Sequence, residues 1–140
     1  GKWSDEQQGK QSVQLVLEVI NKITKQIDVN SLDINLLGFS QGAILSYAAA
    51  MSHGHLSKVI CLSGYINEEL LPDNTTINSC KETRFFASHG DQDQVIPVAW
   101  ARNSSTRLKE LGCNLEYHEF PIGHGVSPEN FAALNSFLNG

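Results

Sequence analysis

The segment Gly38-Phe39-Ser40-Gln41-Gly42 lies where the sequence changes from one pattern to another. The residues before it, Ile34 to Phe39 (INLLGF), form a short apolar run. Such a run is typical of a strand in a parallel sheet that is buried on both faces. The residues after it, Gln41 to His53, are rich in alanine and helical in pattern, and Gly54 ends them. The sequence therefore predicts a sharp turn from a strand into a helix, with Ser40 at its tip.

A serine at the tip of such a turn is typical of a nucleophile. The tip residue takes unfavourable backbone angles, and Gly38 and Gly42 leave room for neighbouring backbone to approach. The turn lifts the Ser40 hydroxyl clear of the sheet. It also places the Gln41 backbone N–H at a helix start, where it can donate to a developing oxyanion. A chance match is the alternative, and the strand before the motif and the helix after it make that less frequent.

Helices and strands alternate along the rest of the chain. The patterns predict a helix from Asp5 to Ile27, a strand from Lys58 to Gly64, a loop from Tyr65 to Lys81, a strand from Arg84 to Gly90, a helix from Val98 to Gly112, a strand from Asn114 to Phe120 and a last helix capped by Ser127. This alternation indicates an α/β fold in which helices cover both faces of a parallel sheet. We expect residues 1–140 to form a single domain.

A serine nucleophile needs a base, and the chain has five histidines. His53 and His55 lie at the far end of the helix that Ser40 begins, and His118 lies inside a strand. His89, at the end of the third strand, and His124, in a glycine-rich loop after the fourth, remain candidates because both lie toward the carboxyl ends of strands. His124 is favoured, since the flanking glycines suit a mobile base above the serine.

An acid that orients the base is offered by the segment SHGDQDQVIP, which contains Asp91 and Asp93. One of the two carboxylates could instead bond backbone N–H groups of its own turn. A different interpretation makes Asp91, Asp93 and His124 ligands of a metal ion. That interpretation would leave the turn around Ser40 unexplained. The order Ser, Asp, His along the chain favours a hydrolase triad.

Composition and charge argue against several other functions. The net charge is −5 and the Lys and Arg residues are scattered, so we do not expect a nucleic-acid partner. No apolar run approaches the roughly 18 residues of a membrane span. Cys61, Cys80 and Cys113 form no CxxC pair, so reduced thiols and a cytoplasmic location are expected.

Three segments together, GFSQG, HGDQDQVIP and GHGVSPE, resemble the phospholipase/carboxylesterase family of α/β-hydrolases, which includes acyl-protein thioesterases. The resemblance runs over essentially the whole chain. It implies an α/β-hydrolase fold, a substrate that is a carboxylic ester or thioester, and no cofactor. It also implies roles for single residues: Ser40 as nucleophile, His124 as base, Asp93 as triad acid and Gln41 as an oxyanion donor through its backbone N–H.

The chain departs from this family before Ser40. Family members are longer there, with further strands and a His-Gly-rich loop that supplies a second oxyanion donor. We therefore expect the N-terminal strands of the fold to be missing, which leaves the edge from Ile34 to Phe39 bare. We expect either a homodimer or a missing N-terminal segment that pairs along this edge. The alternative function is a non-catalytic remnant or binding subunit that keeps the triad residues.

Overall fold

The structure, a computed structural model of the 140-residue chain, describes residues 6–26, 34–53, 56–71 and 81–140. Its helices and strands, in chain order, are α1 (Glu6–Gln26), β1 (Asn35–Phe39), α2 (Gln41–His53), β2 (Lys58–Leu62), β3 (Arg84–Gly90), α3 (Val98–Glu110), β4 (Asn114–Phe120) and α4 (Pro128–Asn139). A short 3-10 helix, Glu68–Leu70, follows β2. The predicted order of elements is confirmed. The helix ends predicted at Asp5 and Ile27, the helix stop at Gly54, and residues 72–80 of the predicted loop lie outside the described residues.

Two elements end earlier than the sequence indicated, and the backbone gives the reason in each case. Strand β2 stops at Leu62 because Ser63 has a φ of 59°, which is left-handed and cannot continue a strand. Helix α3 stops at Glu110 because Gly112, at φ 77°, turns the chain out of the helix. The Gly112 N–H donates to the carbonyl of Lys109, which satisfies one of the last helical acceptors.

The strands of the described residues form a four-stranded sheet in the order β1-β2-β3-β4. All three pairings are parallel, so the carboxyl ends of the strands meet at one edge of the sheet. In such sheets the loops at this edge bring chemistry-bearing side chains together. Here they are the loops that follow Phe39, Leu62, Gly90 and Phe120.

Helices cover both faces of the sheet, as predicted. On one face, buried side chains of α2 and α3 pack on alternate strand residues such as Val59, Cys61 and Phe85. On the other face, α4 packs Leu134 and Phe137 against strand residues of opposite orientation: Ile60, Leu62 and Phe86. Because successive side chains of a strand point to opposite faces, β2 contributes residues to the core on each face of the sheet.

Strand β1 differs from the expectation of a strand buried on both faces. It lies at the edge of the described sheet, and Leu37 and Phe39 are 59% and 43% exposed. Gly38 is buried between them, against α2. The apolar run correctly predicts a strand, but its burial depends on what packs beside it, which the run itself does not contain.

Candidate active site

Ser40 lies at the sharp turn between β1 and α2. Its φ is 57°, in the left-handed region that costs an L-residue roughly 1–2 kcal/mol. The Ser40 N–H donates to the carbonyl of Leu62 at 2.8 Å, and its carbonyl accepts from Ala43 and Ile44 at the start of α2. These bonds fix the turn from both sides, so the strained angle is held by β2 and α2 together.

The two glycines of the turn differ in what surrounds them. A Cβ on Gly38 would overlap the carbonyl of Gly42 and the N–H of Ala43, so only glycine lets β1 pass this close to α2. A Cβ on Gly42 would meet no described atom within 4 Å. The expectation that both glycines leave room for neighbouring backbone therefore applies to Gly38 and is wrong for Gly42.

His124 faces Ser40 across the edge of the sheet. Its Nε2 lies 2.9 Å from the Ser40 Oγ, although His124 is 84 positions further along the sequence. The imidazole packs against the ring of Phe39 at 5.1 Å between centroids, and its side chain is 19% exposed. The nitrogen facing the hydroxyl can accept its proton only if the other nitrogen carries the hydrogen.

Asp93 holds that other nitrogen. The His124 Nδ1–H donates to Asp93 Oδ2 at 2.7 Å, which leaves Nε2 as the acceptor for the serine proton. Asp93 Oδ1 accepts from the backbone N–H groups of Val95 and Ile96, at 2.8 and 2.9 Å. Burial alone would raise the pKa of Asp93, but the bonds from Ile96, His124 and Val95 outweigh it and the pKa is lowered. The carboxylate is therefore ionised beside the imidazole.

Asp91 makes neither of the contacts that the sequence left open between the two aspartates. The turn hydrogen bonds expected of it are accepted by Asp93, whose side chain therefore serves the turn and the histidine at once. Asp91 is exposed, and its carboxylate has no hydrogen-bond partner among the described residues. Within those residues no cluster of three His, Cys, Asp or Glu side chains could hold a metal ion.

The loop that carries His124 is tied to two neighbouring strand ends. The backbone N–H groups of Asp91 and Gln92 donate to the carbonyls of Phe120 and Ile122, and the Ser63 Oγ lies 3.4 Å from the carbonyl of Gly125. Gly90 makes this approach possible, because a Cβ there would overlap the carbonyls of this loop. The loop carrying the imidazole is therefore positioned by backbone contacts.

The remaining histidines do not reach Ser40 in the described part of the chain. His118 lies on β4, where its Nε2 is 2.7 Å from the carboxylate of Glu116. His89 is buried behind Asp93, with its Nε2 3.3 Å from the same oxygen that His124 contacts. The side chain of His53 and the whole of His55 lie outside the described residues. Sequence reasoning weighed His89 only as a base and missed its place beside the acid.

A cleft of about 380 Å³ opens beside Ser40. It is lined mostly by apolar side chains: Phe39, Ile44, Val95 and Ile96, with Ser40 and Gln41. Gln41 is the first residue of α2, so its N–H is one of the amides for which a helix supplies no acceptor. If a carbonyl carbon contacts the Ser40 Oγ, its oxygen could accept a hydrogen bond from the Gln41 N–H.

A second cleft, of about 370 Å³, lies between Tyr65, Trp100 and Arg107. It shares no lining residue with the cleft at Ser40. Its arginine already donates to the carboxylate of Glu68 at 2.9 Å. Ser40 therefore opens into the first cleft and not into this one.

The parallel sheet with helices on both faces and the left-handed serine between strand and helix define an α/β-hydrolase fold. The sequence profile of the phospholipase/carboxylesterase family matches residues 2–140, and the chain belongs to this family. The Bacillus cereus carboxylesterase has the same fold, with a TM-score of 0.80 at 14% identity over 96% of this chain and 62% of that one.

Acyl-protein thioesterases are among the relatives of this chain. The chain is 34% identical to acyl-protein thioesterase 1 of Kluyveromyces lactis over 133 residues, which is 88% of this chain and 58% of the relative. It is 32% identical to acyl-protein thioesterase 1 homolog 1 of Dictyostelium discoideum over 139 residues, 96% of this chain and 60% of the relative. The chain thus spans about three fifths of the length of these relatives.

Proposed function

We propose that this chain carries the catalytic residues of a serine hydrolase that cleaves carboxylic esters or thioesters. The observation that supports the proposal is one continuous path of contacts. It runs from the Ser40 Oγ to His124 Nε2 at 2.9 Å, and from His124 Nδ1 to Asp93 Oδ2 at 2.7 Å. These three side chains come from three separate loops of the sheet edge.

In the first half of the reaction, the Ser40 Oγ attacks the acyl carbonyl carbon while its proton passes to His124 Nε2. The carbonyl oxygen becomes an oxyanion, to which the Gln41 N–H donates. The intermediate collapses when the bond to the leaving group breaks. His124 gives its proton to the departing alkoxide or thiolate, and the acyl group remains on Ser40.

In the second half, water attacks the acyl-enzyme and His124 takes its proton. The bond from the acyl carbon to the Ser40 Oγ then breaks, the oxygen recovers a proton from His124, and the carboxylic acid leaves. Asp93 holds the imidazole in one tautomer and stabilises the imidazolium that forms in both halves. Its lowered pKa supports this role, because only the ionised carboxylate stabilises that cation.

The cleft supports an acyl group as the part of the substrate held near Ser40. Phe39 and Val95 offer apolar surface, since they are 43% and 50% exposed. An acyl chain placed there would bury apolar area at roughly 25 cal/mol per Å². The names of the two thioesterase relatives favour a thioester, and an oxygen ester has the same acyl geometry.

The second candidate is a non-catalytic remnant or binding subunit that keeps these residues. The exposure of Leu37 and Phe39 favours it, because the cleft wall next to Ser40 is open to water along β1. An open wall weakens the electrostatic stabilisation of an oxyanion. The two candidates therefore differ in whether Ser40 reacts at all.

The test uses the purified chain and the matched variant Ser40→Ala. A fluorophosphonate probe should label Ser40, as located by mass spectrometry of the peptide, and p-nitrophenyl and thioester substrates of equal chain length should be hydrolysed. The variant should do neither. A folded wild-type chain that never labels would favour the non-catalytic candidate.

We propose that the edge of β1 pairs with another polypeptide segment. This segment is either a second copy of this chain or an N-terminal segment of the same protein. The partly exposed apolar side chains on this strand support the proposal.

A cytoplasmic location is also proposed, supported by the buried thiols of Cys61 and Cys113. Burial raises the pKa of the Cys61 thiol well above its usual value, and this effect outweighs the opposite effect of a hydrogen bond with Tyr47. Cys61 is therefore a core residue. No helix of the described residues is long and apolar enough to cross a membrane.

A further inference from the structure

Asp93 has two imidazoles against one of its oxygens. His124 donates to Oδ2 from the loop after β4, and His89, at the penultimate position of β3, brings its Nε2 to 3.3 Å from the same atom. The side chains of His89 and Asp93 are both fully buried, whereas that of His124 is 19% exposed. The second imidazole is therefore on the inner side of the carboxylate, away from the cleft.

The contacts of His89 fix where its proton lies. Its Nε2 is 2.8 Å from the carbonyl of Ile96, and a carbonyl can only accept. Nε2 therefore carries the hydrogen, which points to the Ile96 carbonyl with the Asp93 carboxylate beside it. Nδ1 is left without a hydrogen-bond partner among the described residues. The polar contacts of this buried ring are thus all directed at the turn that holds Asp93.

Ile96 joins the histidine and the acid into a closed arrangement. Its N–H donates to Asp93 Oδ1, while its carbonyl accepts from His89. The turn of residues 93–96 is therefore held through both the N–H and the carbonyl of Ile96. The Asp93 carboxylate cannot rotate without breaking the hydrogen bonds that each of its oxygens accepts. The orientation that this fixes is the one in which Oδ2 meets His124 Nδ1.

The carboxylate opposite His89 on the neighbouring strand is already occupied. Glu119 is the register partner of His89 on β4, and its two oxygens accept from Arg102 at 2.8 and 2.9 Å and from the Tyr117 hydroxyl. Burial raises the pKa of Tyr117 and the bond to Glu119 raises it further, so this hydroxyl remains a donor. Glu119 therefore has strong donors of its own, and His89 is left to the Asp93 turn.

We propose that His89 is a positioning residue for the triad acid: its Nε2–H holds the 93–96 turn and the Asp93 carboxylate in the orientation that receives His124. The kinetic consequence of this proposal rests on the proposed function. The structural consequence, a short His124–Asp93 hydrogen bond that depends on His89, does not. The alternative is a core histidine that only fills space.

The test compares two amides of different reach. In His89→Gln the amide nitrogen reaches about the place of Nε2, whereas in His89→Asn it stops near the place of Nδ1. His118→Gln, on β4 away from Ser40, is the matched control. Circular dichroism and melting curves establish that each variant folds.

Two readouts separate the proposal from the proposed function. The first is the downfield proton NMR signal of the His124 Nδ1–H, assigned by its loss in His124→Gln, which requires no turnover. The second is the rate of fluorophosphonate labelling at Ser40. We expect His89→Asn to shift the signal upfield and to lower the labelling rate by about fivefold, the scale of one hydrogen bond to a neutral carbonyl. His89→Gln and His118→Gln should stay within about twofold of wild type on the same scale.

Three outcomes overturn the proposal. If His89→Asn keeps the signal and the labelling rate, or if the Gln and Asn variants lose labelling equally with an unchanged signal, His89 only fills space. A wild-type chain with no downfield Nδ1–H signal would remove the premise of an oriented carboxylate. A wild-type chain that shows the signal but never labels would contradict the proposed function and leave the role of His89 to the NMR comparison.

Discussion

The Nδ1 of His124 lies 2.7 Å from the Oδ2 of Asp93, although 31 residues separate them in the sequence. Their meeting depends on the neighbouring positions of β3 and β4, whose carboxyl ends carry the two loops. The other oxygen of Asp93 is held by the N–H groups of its own turn. The position of the imidazole therefore depends on a turn that is local in sequence.

The first prediction is that Asp93→Asn lowers ester turnover far more than Asp91→Asn. An asparagine keeps the shape of the turn but presents no anion to the imidazolium, and the loss in a serine protease is about 10⁴-fold. Asp91→Asn should leave the rate unchanged. It should change the free energy of unfolding by less than about 0.5 kcal/mol, because the Asp91 side chain is exposed. Rates on a p-nitrophenyl ester and urea midpoints of both variants measure this, and the opposite ranking would exchange the two roles.

The second prediction separates the chemistry of Ser40 from its strain. Ser40→Ala and Ser40→Gly should both lose hydrolysis. Ser40→Gly should be the more stable by about 1 kcal/mol, because glycine adopts a φ of 57° without the penalty that alanine keeps. Ser63, at φ 59°, provides the control pair, in which glycine should again exceed alanine. Equal melting temperatures in both pairs would show that the turn is not strained.

The third prediction uses the two glycines beside Ser40. Gly38→Ala should destabilise the chain strongly, because its methyl group would overlap the backbone of α2. Gly42→Ala should be neutral or stabilising by up to about 1 kcal/mol, since the space there is open and alanine favours a helix. Urea unfolding of the two variants decides the matter. A larger loss at Gly42 than at Gly38 would contradict the packing described for this turn.

The fourth prediction concerns pH and stability. The pKa of Asp93 is lowered in the folded chain, so its ionised form stabilises folding above the unfolded value, which is about 3.9 for an aspartate. This contribution should be lost as the pH falls below about 4 and through the lower folded pKa. The difference in unfolding free energy between wild type and Asp93→Asn should therefore shrink on acidification from pH 7 to 3. A difference that grew instead would have the wrong sign.

The order of elements could be predicted because each one carries its own signal. Strands β1 and β2 are short apolar runs, and the last helix has Ser127 at its cap, accepting from the Asn130 N–H, with Pro128 as its first residue. The burial of β1 could not be predicted in this way. Leu37 and Phe39 are as apolar as Ile60 and Leu62, and only the neighbours of each strand decide which pair is covered.

The site was harder to predict than the fold, because two of its features are not local. His89 and His124 both lie toward the carboxyl ends of strands, so the residues alone left both open as the base. The structure brings His124 to Ser40 and His89 to the far side of Asp93. The sequence also assigned the turn bonds and the bond to histidine to different aspartates, whereas Asp93 accepts both because it has two oxygens.

The last prediction concerns the edge of β1. Its outer backbone groups pair with no strand of the described sheet, and Leu37 is 59% exposed on it. If a second copy of the chain pairs there, sedimentation should find dimers at micromolar concentration, and Leu37→Lys should shift them to monomers because a charge on an edge opposes pairing. Leu15→Lys is the control: Leu15 is 62% exposed, but it lies on α1 and should leave the dimer intact. Monomers at every concentration of wild type, or dissociation by Leu15→Lys alone, would show that copies of this chain do not pair along β1.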